Sequence, residues 1–350
     1  MMTTTQGGPM TKILFTILFV SVGVIDAAEP EKTPTPVTPE TIKASVDKSL
    51  KLIQHSSGES LKHRKCFTCH HQAIPILVCS VAQTHGIRID KQNLKLQLKR
   101  THDHLKSGRE NYLQGKGQGG KADTAGYALW ALEVGGKKAD QVTHPVAGYL
   151  LTWQKDSPHW KCTSHRPPSE ASDFTTTYLA VRGLQVHAEA SQSQTIEQRL
   201  NQIREWLTDA KPADNEDRVF RLRTLDYLDD DDEAVQAAGR DLLERQRADG
   251  GWSQTSELAS DPYATGTSLS TLHQAGLLKA DSEPYIRGLQ FLINTQHEDG
   301  SWHVKSRSRP FQTYYETGFP HGKDQFISMM ASGWSTLALI PAYPAPSKQP

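Results

Sequence analysis

The stretch Lys65-Cys-Phe-Thr-Cys69-His-His71-Gln72 sets two thiols two residues apart and follows the second with two imidazoles. Thiols at that spacing can add to the two vinyl groups of a haem, and His70, the next residue, can then reach the iron as an axial ligand. The same thiols, Cys66 and Cys69, can instead close a small strained disulfide. The segment "WKCTSH" supplies Cys162 and His165. Cys-x-x-Cys with Cys-x-x-His makes a four-ligand zinc site, and a disulfide from Cys162 to the first loop is a further pairing. Cys79, one helix further on, reads as core. Covalent haem c at Cys66, Cys69 and His70 is the leading expectation, with zinc or no cofactor as the alternatives.

The compartment bears on that choice. Lys12 precedes an apolar run from Ile13 to Val24, and Ala27 and Ala28 supply small residues for cleavage. This is the pattern of a signal peptide over 1–28, with a run too short to span a bilayer. An exported protein, periplasmic or secreted and without a transmembrane anchor after cleavage, is expected. Haem is attached outside the cytoplasm, and an oxidising compartment permits disulfides among four cysteines. Lys plus Arg and Asp plus Glu each number 39, so no charge excess argues for nucleic acid or an anionic membrane. A small molecule or a redox partner of unknown identity remains.

Residues 29–39 are rich in proline and threonine and read as a linker, residues 341–350 as a tail, and residues 40–340 as the folded body. The body repeats. "LLERQRADGGW" and "LINTQHEDGSW" align Gln246, Asp249, Gly250 and Trp252 with Gln296, Asp299, Gly300 and Trp302, and "LLTWQKDSPHW" carries Gln154 and Trp160. Trp160 and Trp252 stand close to two periods of about 46 residues apart, the spacing of a helical array. Charged amphipathic segments such as 233–243 alternate with segments rich in Ala, Thr and Leu that open on Asp123, Asp173 and Asp261, which are expected to serve as N-caps. Outer and inner helices follow, in pairs near 40–86, 90–136, 142–187, 195–229, 231–278 and 283–340. Six such hairpins can close into a double-layered ring, an all-α (α/α)6 toroid.

The Gln, Asp-Gly and Trp motifs resemble the QW repeats of squalene cyclases and protein prenyltransferases, and "SDPYATGTSLSTL" is similar to an inner-helix segment of that superfamily. The likeness covers most of 40–340. It implies a toroid whose outer-to-inner loops share one rim, with Gln and Trp tying each turn to the next helix. A closer likeness is to secreted proteins of environmental bacteria that add a Cys-x-x-Cys-His-His segment, here "CFTCHHQAIP", "RPPSEASDFT" and "PFQTYYETGFPHGKDQFIS". The cyclase likeness also suggests an alternative function, a terpene cyclase-like intramolecular transferase or an apolar-ligand binder with structural cysteines. Asp229 to Asp232 match the Asp-x-Asp-Asp acid of such cyclases, although a helix N-terminus explains them by capping and dipole.

Ring closure would set hairpin six beside hairpin one. His321 or His71 is then the expected second axial ligand, and Met329 and Met330 read as core. Arg166, Glu170, Asp173, His321 and Asp324 share the rim and are the candidates for catalysis, with no acid or base role assigned. A polar rim over an apolar toroid is a natural ligand mouth.

Overall fold

The computed structural model describes residues 1–4, 34–228, 232–309 and 313–344. The signal-peptide expectation therefore falls almost wholly outside the described residues. Among the described residues no helix is long and apolar enough to cross a membrane.

Thirteen α-helices run through the described chain, and no strand accompanies them. Helix α1 (Pro39–His63) starts where the Thr38 hydroxyl accepts from the Thr41 N–H, with Pro39 at the first helical position, where its missing N–H costs nothing. It pairs with α2 (Ile74–Thr84). Helix α3 (Lys91–Ser107), extended by the short α4 (Arg109–Leu113), pairs with α5 (Lys121–Val134). The remaining pairs are α6 (Thr143–Thr152) with α7 (Asp173–His187), α8 (Ser193–Asp209) with α9 (Asn215–Tyr227), α10 (Asp232–Leu243) with α11 (Pro262–Gln274), and α12 (Glu283–Thr295) with α13 (Gln325–Leu339). These are the six hairpins expected from the composition.

Burial separates the two layers. In α12 only Tyr285, Gly288, Leu289 and Leu292 are buried, one face at helical spacing. In α13 every residue but Phe326 is buried. The second type faces protein all round, so it forms the inner ring: α2 packs on α5, α5 on α7, α7 on α9, α9 on α11, α11 on α13, and α13 back on α2. Side chains from inner helices that are not ring neighbours meet across the middle. Trp130 of α5 lies 6.2 Å from Trp334 of α13, and the Arg223 guanidinium of α9 sits 4.9 Å from the Trp334 ring.

The repeated motifs act as joints. The indole N–H of Trp160, Trp252 and Trp302 donates to Leu150, Leu242 and Leu292 at 2.8–2.9 Å, satisfying a carbonyl near the end of each outer helix. Gln246 Nε2 donates to Gly250 O and to Pro284 O at the start of the next outer helix. Gln296 repeats this, donating to Gly300 O and, at 3.0 Å, to Ser45 O of α1. The last hairpin thus locks onto the first. Gly300 has φ +90°, and a Cβ there would lie 2.7 Å from the Lys48 carbonyl carbon. Only glycine allows both the turn and the approach to α1.

The capping expectation is corrected in part. Asp261 caps α11, accepting from Tyr263 and Ala264 N–H. Asp173 does not cap α7, because Ser172 does. Asp123 does not cap α5, because Gly120 (φ +81°) starts that helix three residues earlier and carries Asp123 into the interior.

Candidate functional site

The loop after α1 enters α2 through a π-helical turn, Cys69–Ala73. Such turns insert an extra residue per turn and are common at functional sites. Here the turn lets His70 and His71, adjacent in sequence, both face inward and become buried. A brace holds it: Thr68 Oγ1 accepts from His71 N–H, while Thr68 N–H and O–H both donate to Gln72 Oε1 at 2.7 and 2.6 Å.

The hydrogen bonds around the two histidines fix where the protons sit. Gln325 Nε2 donates to Tyr315 O, which leaves its Oε1 to accept the Thr317 hydroxyl proton at 3.1 Å. With that proton committed, Thr317 Oγ1 accepts from His71 Nε2–H at 3.1 Å. Burial keeps His71 neutral, its pKa pushed down to about 3. A neutral ring with a proton on Nε2 has a bare Nδ1, and that atom meets His70 Nδ1. His70 is therefore the donor, and its Nε2 carries the lone pair. A histidine that gives its Nδ1–H to a fixed partner is in the tautomer that binds a metal through Nε2. Burial first, then His71 and the guanidiniums of Arg166 and Arg64, hold His70 well below the usual imidazole range.

Cys66, Cys69 and His70 line one cavity of about 580 Å³ on the rim formed by the outer-to-inner loops. Its walls carry Phe67, Tyr127, Tyr315 and Phe326, with the His70 ring stacked 4.1 Å from Phe326. Two arginines reach it. Arg64 lies over the Tyr315 ring at 4.5 Å, and Arg166 Nη1 pairs with Glu170 Oε2 at 3.0 Å. The buried Cys69 thiol donates to Glu170 Oε1 at 3.2 Å; burial, then the Glu170 carboxylate, push its pKa well up. Tyr315 Oη is buried in this wall without a hydrogen-bond partner among the described residues.

The other expected residues lie elsewhere. Cys162 donates to Asp123 Oδ2 at 3.3 Å, and His165 is exposed with its carbonyl accepting from Arg309 N–H. The four residues of the zinc reading are not gathered, and among the described residues no group of three or more His, Cys, Asp or Glu is arranged to hold a metal ion. No disulfide joins any two of Cys66, Cys69, Cys79 and Cys162. His321 adopts φ +75° and turns its Nε2 to Ser301 Oγ at 2.8 Å, stacking 4.6 Å from His303 and standing outside the cavity lining. Asp324 accepts from His303 and Ser306 N–H, and Asp173 from His159 and Cys162 N–H, so both tie down loops. Met329 and Met330 are buried core. Of the catalytic candidates, Arg166 and Glu170 reach the cavity. Asp229 to Asp231 lie outside the described residues.

Sequence reasoning missed His104, Tyr127 and Phe326, which line the same cavity. Their signal was indirect: His104 closes a helix just before the Gly-rich segment 115–120, where small side chains leave room at the rim.

Residues 218–331 match the squalene-hopene cyclase C-terminal domain. No curated protein matches the sequence. Among solved structures, the type II terpene cyclase MstE from Scytonema is 13% identical with a TM-score of 0.57, over 87% of this chain and 99% of that one. A variant of MstE solved with geranylgeranyl dihydroxybenzoate is 13% identical with a TM-score of 0.56, over 88% and 98%. A protein from Actinoplanes is 15% identical with a TM-score of 0.54, over 87% and 100%. At these identities the likeness is one of fold. Together with the matched domain it supports the squalene cyclase and prenyltransferase-repeat superfamily, and with it the α/α toroid.

Proposed function

We propose that this chain is an exported haem c protein on a terpenoid-cyclase-like toroid, acting in redox chemistry or small-ligand binding at the rim. The observation that carries the reading is the proton order along Gln325, Thr317, His71 and His70, which leaves His70 Nε2 as a lone-pair donor beside Cys66 and Cys69. The rest of the cavity suits a flat aromatic group with acidic substituents. Tyr127, Tyr315 and Phe326 give apolar walls, and Arg64 and Arg166 give positive charge. Cys66 and Cys69 would hold the group through thioethers and His70 would bind its iron. When bound, haem supplies a one-electron iron couple and, through an open or exchangeable position, a site for a small ligand. The protein's own part is to fix His70, to exclude water with Phe326 and Tyr315, and to neutralise charge with the two arginines.

The thiols fit this chemistry better than zinc or redox exchange. The zinc set would need Cys162 and His165, which do not line the cavity of Cys66 and Cys69, and thiol exchange needs a thiolate, whereas Cys69 faces the Glu170 carboxylate. The cyclase-like alternative draws on the fold and the matched domain alone. It asks for an apolar chamber inside the ring, where Trp130, Trp334 and Arg223 meet across the middle.

The test is the optical spectrum of the full chain, exported from a bacterial host that carries a cytochrome c maturation system. A Soret band that survives denaturation and disappears in Cys66→Ser/Cys69→Ser is expected. A colourless wild-type protein from that host would overturn the reading.

A further inference from the structure

We infer that His104 is the second protein ligand to the iron of a haem held by Cys66, Cys69 and His70. The inference rests on the haem reading above and names the residue that completes the site. His104 lies in the last turn of α3, the outer helix of hairpin two, and lines the same 580 Å³ cavity as His70. Its ring stacks against Phe67, inside the Cys66–Cys69 segment, with centroids 6.1 Å apart. Its carbonyl accepts from Gln118 Nε2 and Ser107 Oγ, which pins the backbone, while neither ring nitrogen has a hydrogen-bond partner among the described residues. His104 is partly exposed where it lines the cavity, so its imidazole is accessible to a group bound there. Gly119, Gly120 and Thr124 form the neighbouring lining and leave space beside it.

The other donors are otherwise committed. His71 gives Nε2–H to Thr317 and its Nδ1 to His70. His321 is bonded to Ser301 and outside the lining. Met330 borders a void of about 30 Å³ beside Cys69 and His70, too small for a macrocycle, and Met329 is fully buried. Tyr127 donates to Ser169 O. A second imidazole completing the iron's coordination makes it six-coordinate and low-spin, a state with its own optical and EPR signature.

The experiment compares wild type, His104→Gly and His104→Met, each exported with haem attached, by optical and EPR spectroscopy. Haem content and far-UV circular dichroism confirm that the variants fold. The expected result is a low-spin wild type, a predominantly high-spin His104→Gly, and return of the low-spin spectrum when imidazole is added. His104→Met is expected to keep six coordination with an altered spectrum. A wild type that is already high-spin, or a His104→Gly that stays low-spin without imidazole, would overturn the assignment while leaving the haem reading intact. Absence of haem from the wild type would overturn both, and the haem assay reports that separately.

Discussion

Glu216, second residue of α9, is buried with one carboxyl oxygen accepting from Tyr263 Oη and Thr175 Oγ1 at 3.0–3.1 Å and the other without a partner. Burial, with Asp214 adding repulsion, pushes its pKa up to about 8. The folded protein therefore keeps this proton up to about pH 8, whereas an unfolded glutamate releases it near pH 4.3. Between those limits the unfolded state binds fewer protons, so stability is highest below the unfolded value and falls as pH rises towards 8. Asp123, pushed up to about 7 by burial, acts in the same direction. Glu216→Gln mimics the protonated acid. Urea denaturation from pH 5 to 8 is expected to show a shallower decline for this variant and greater stability than wild type at pH 8. An unchanged slope would show that the carboxyl is ionised in the fold.

At the scale of elements, the joints between hairpins set the stability. Gly300 and Gly136 both have positive φ, +90° and +76°, but only Gly300 presses on another helix; a Cβ at Gly136 would meet nothing within 4 Å. Gly136→Ala is expected to cost the backbone term alone, roughly 1–2 kcal/mol. Gly300→Ala should add roughly 1–3 kcal/mol for the collision with Lys48. Equal losses in chemical denaturation would contradict the joint. These joints were legible in sequence because Gln, Asp-Gly and Trp recur with fixed spacing, and each residue does its work within one turn and the next helix. The inner and outer layers were legible because one helix type hides a single face and the other hides every face. Capping was less so: Asp123 and Gly120 compete to start α5, and only the left-handed turn at Gly120 decides it.

At the scale of the molecule, ring closure brings hairpins one, two, three and six to one cavity, which carries Cys69, His104, Glu170 and Phe326 respectively. The Cys66 to His70 string was visible as a local pattern. Its surroundings were not, because residues about 35 to 260 positions away converge only when the toroid shuts. The expectation that hairpin six covers hairpin one holds for Tyr315, Thr317 and Phe326, which touch the histidine pair, but not for His321, which the chain's left-handed turn delivers to Ser301. Arg166 and Glu170 belong to the cavity because their backbones pair at 3.0 Å in both directions and turn the loop towards Cys69. We propose that this convergence is built around a covalent haem. The most direct test is peptide mapping by mass spectrometry of the full chain, exported from a host competent in cytochrome c maturation. The peptide containing Cys66 and Cys69 is predicted to carry the added mass of one haem under denaturing conditions. The same peptide recovered unmodified, or joined by a disulfide, would contradict the account.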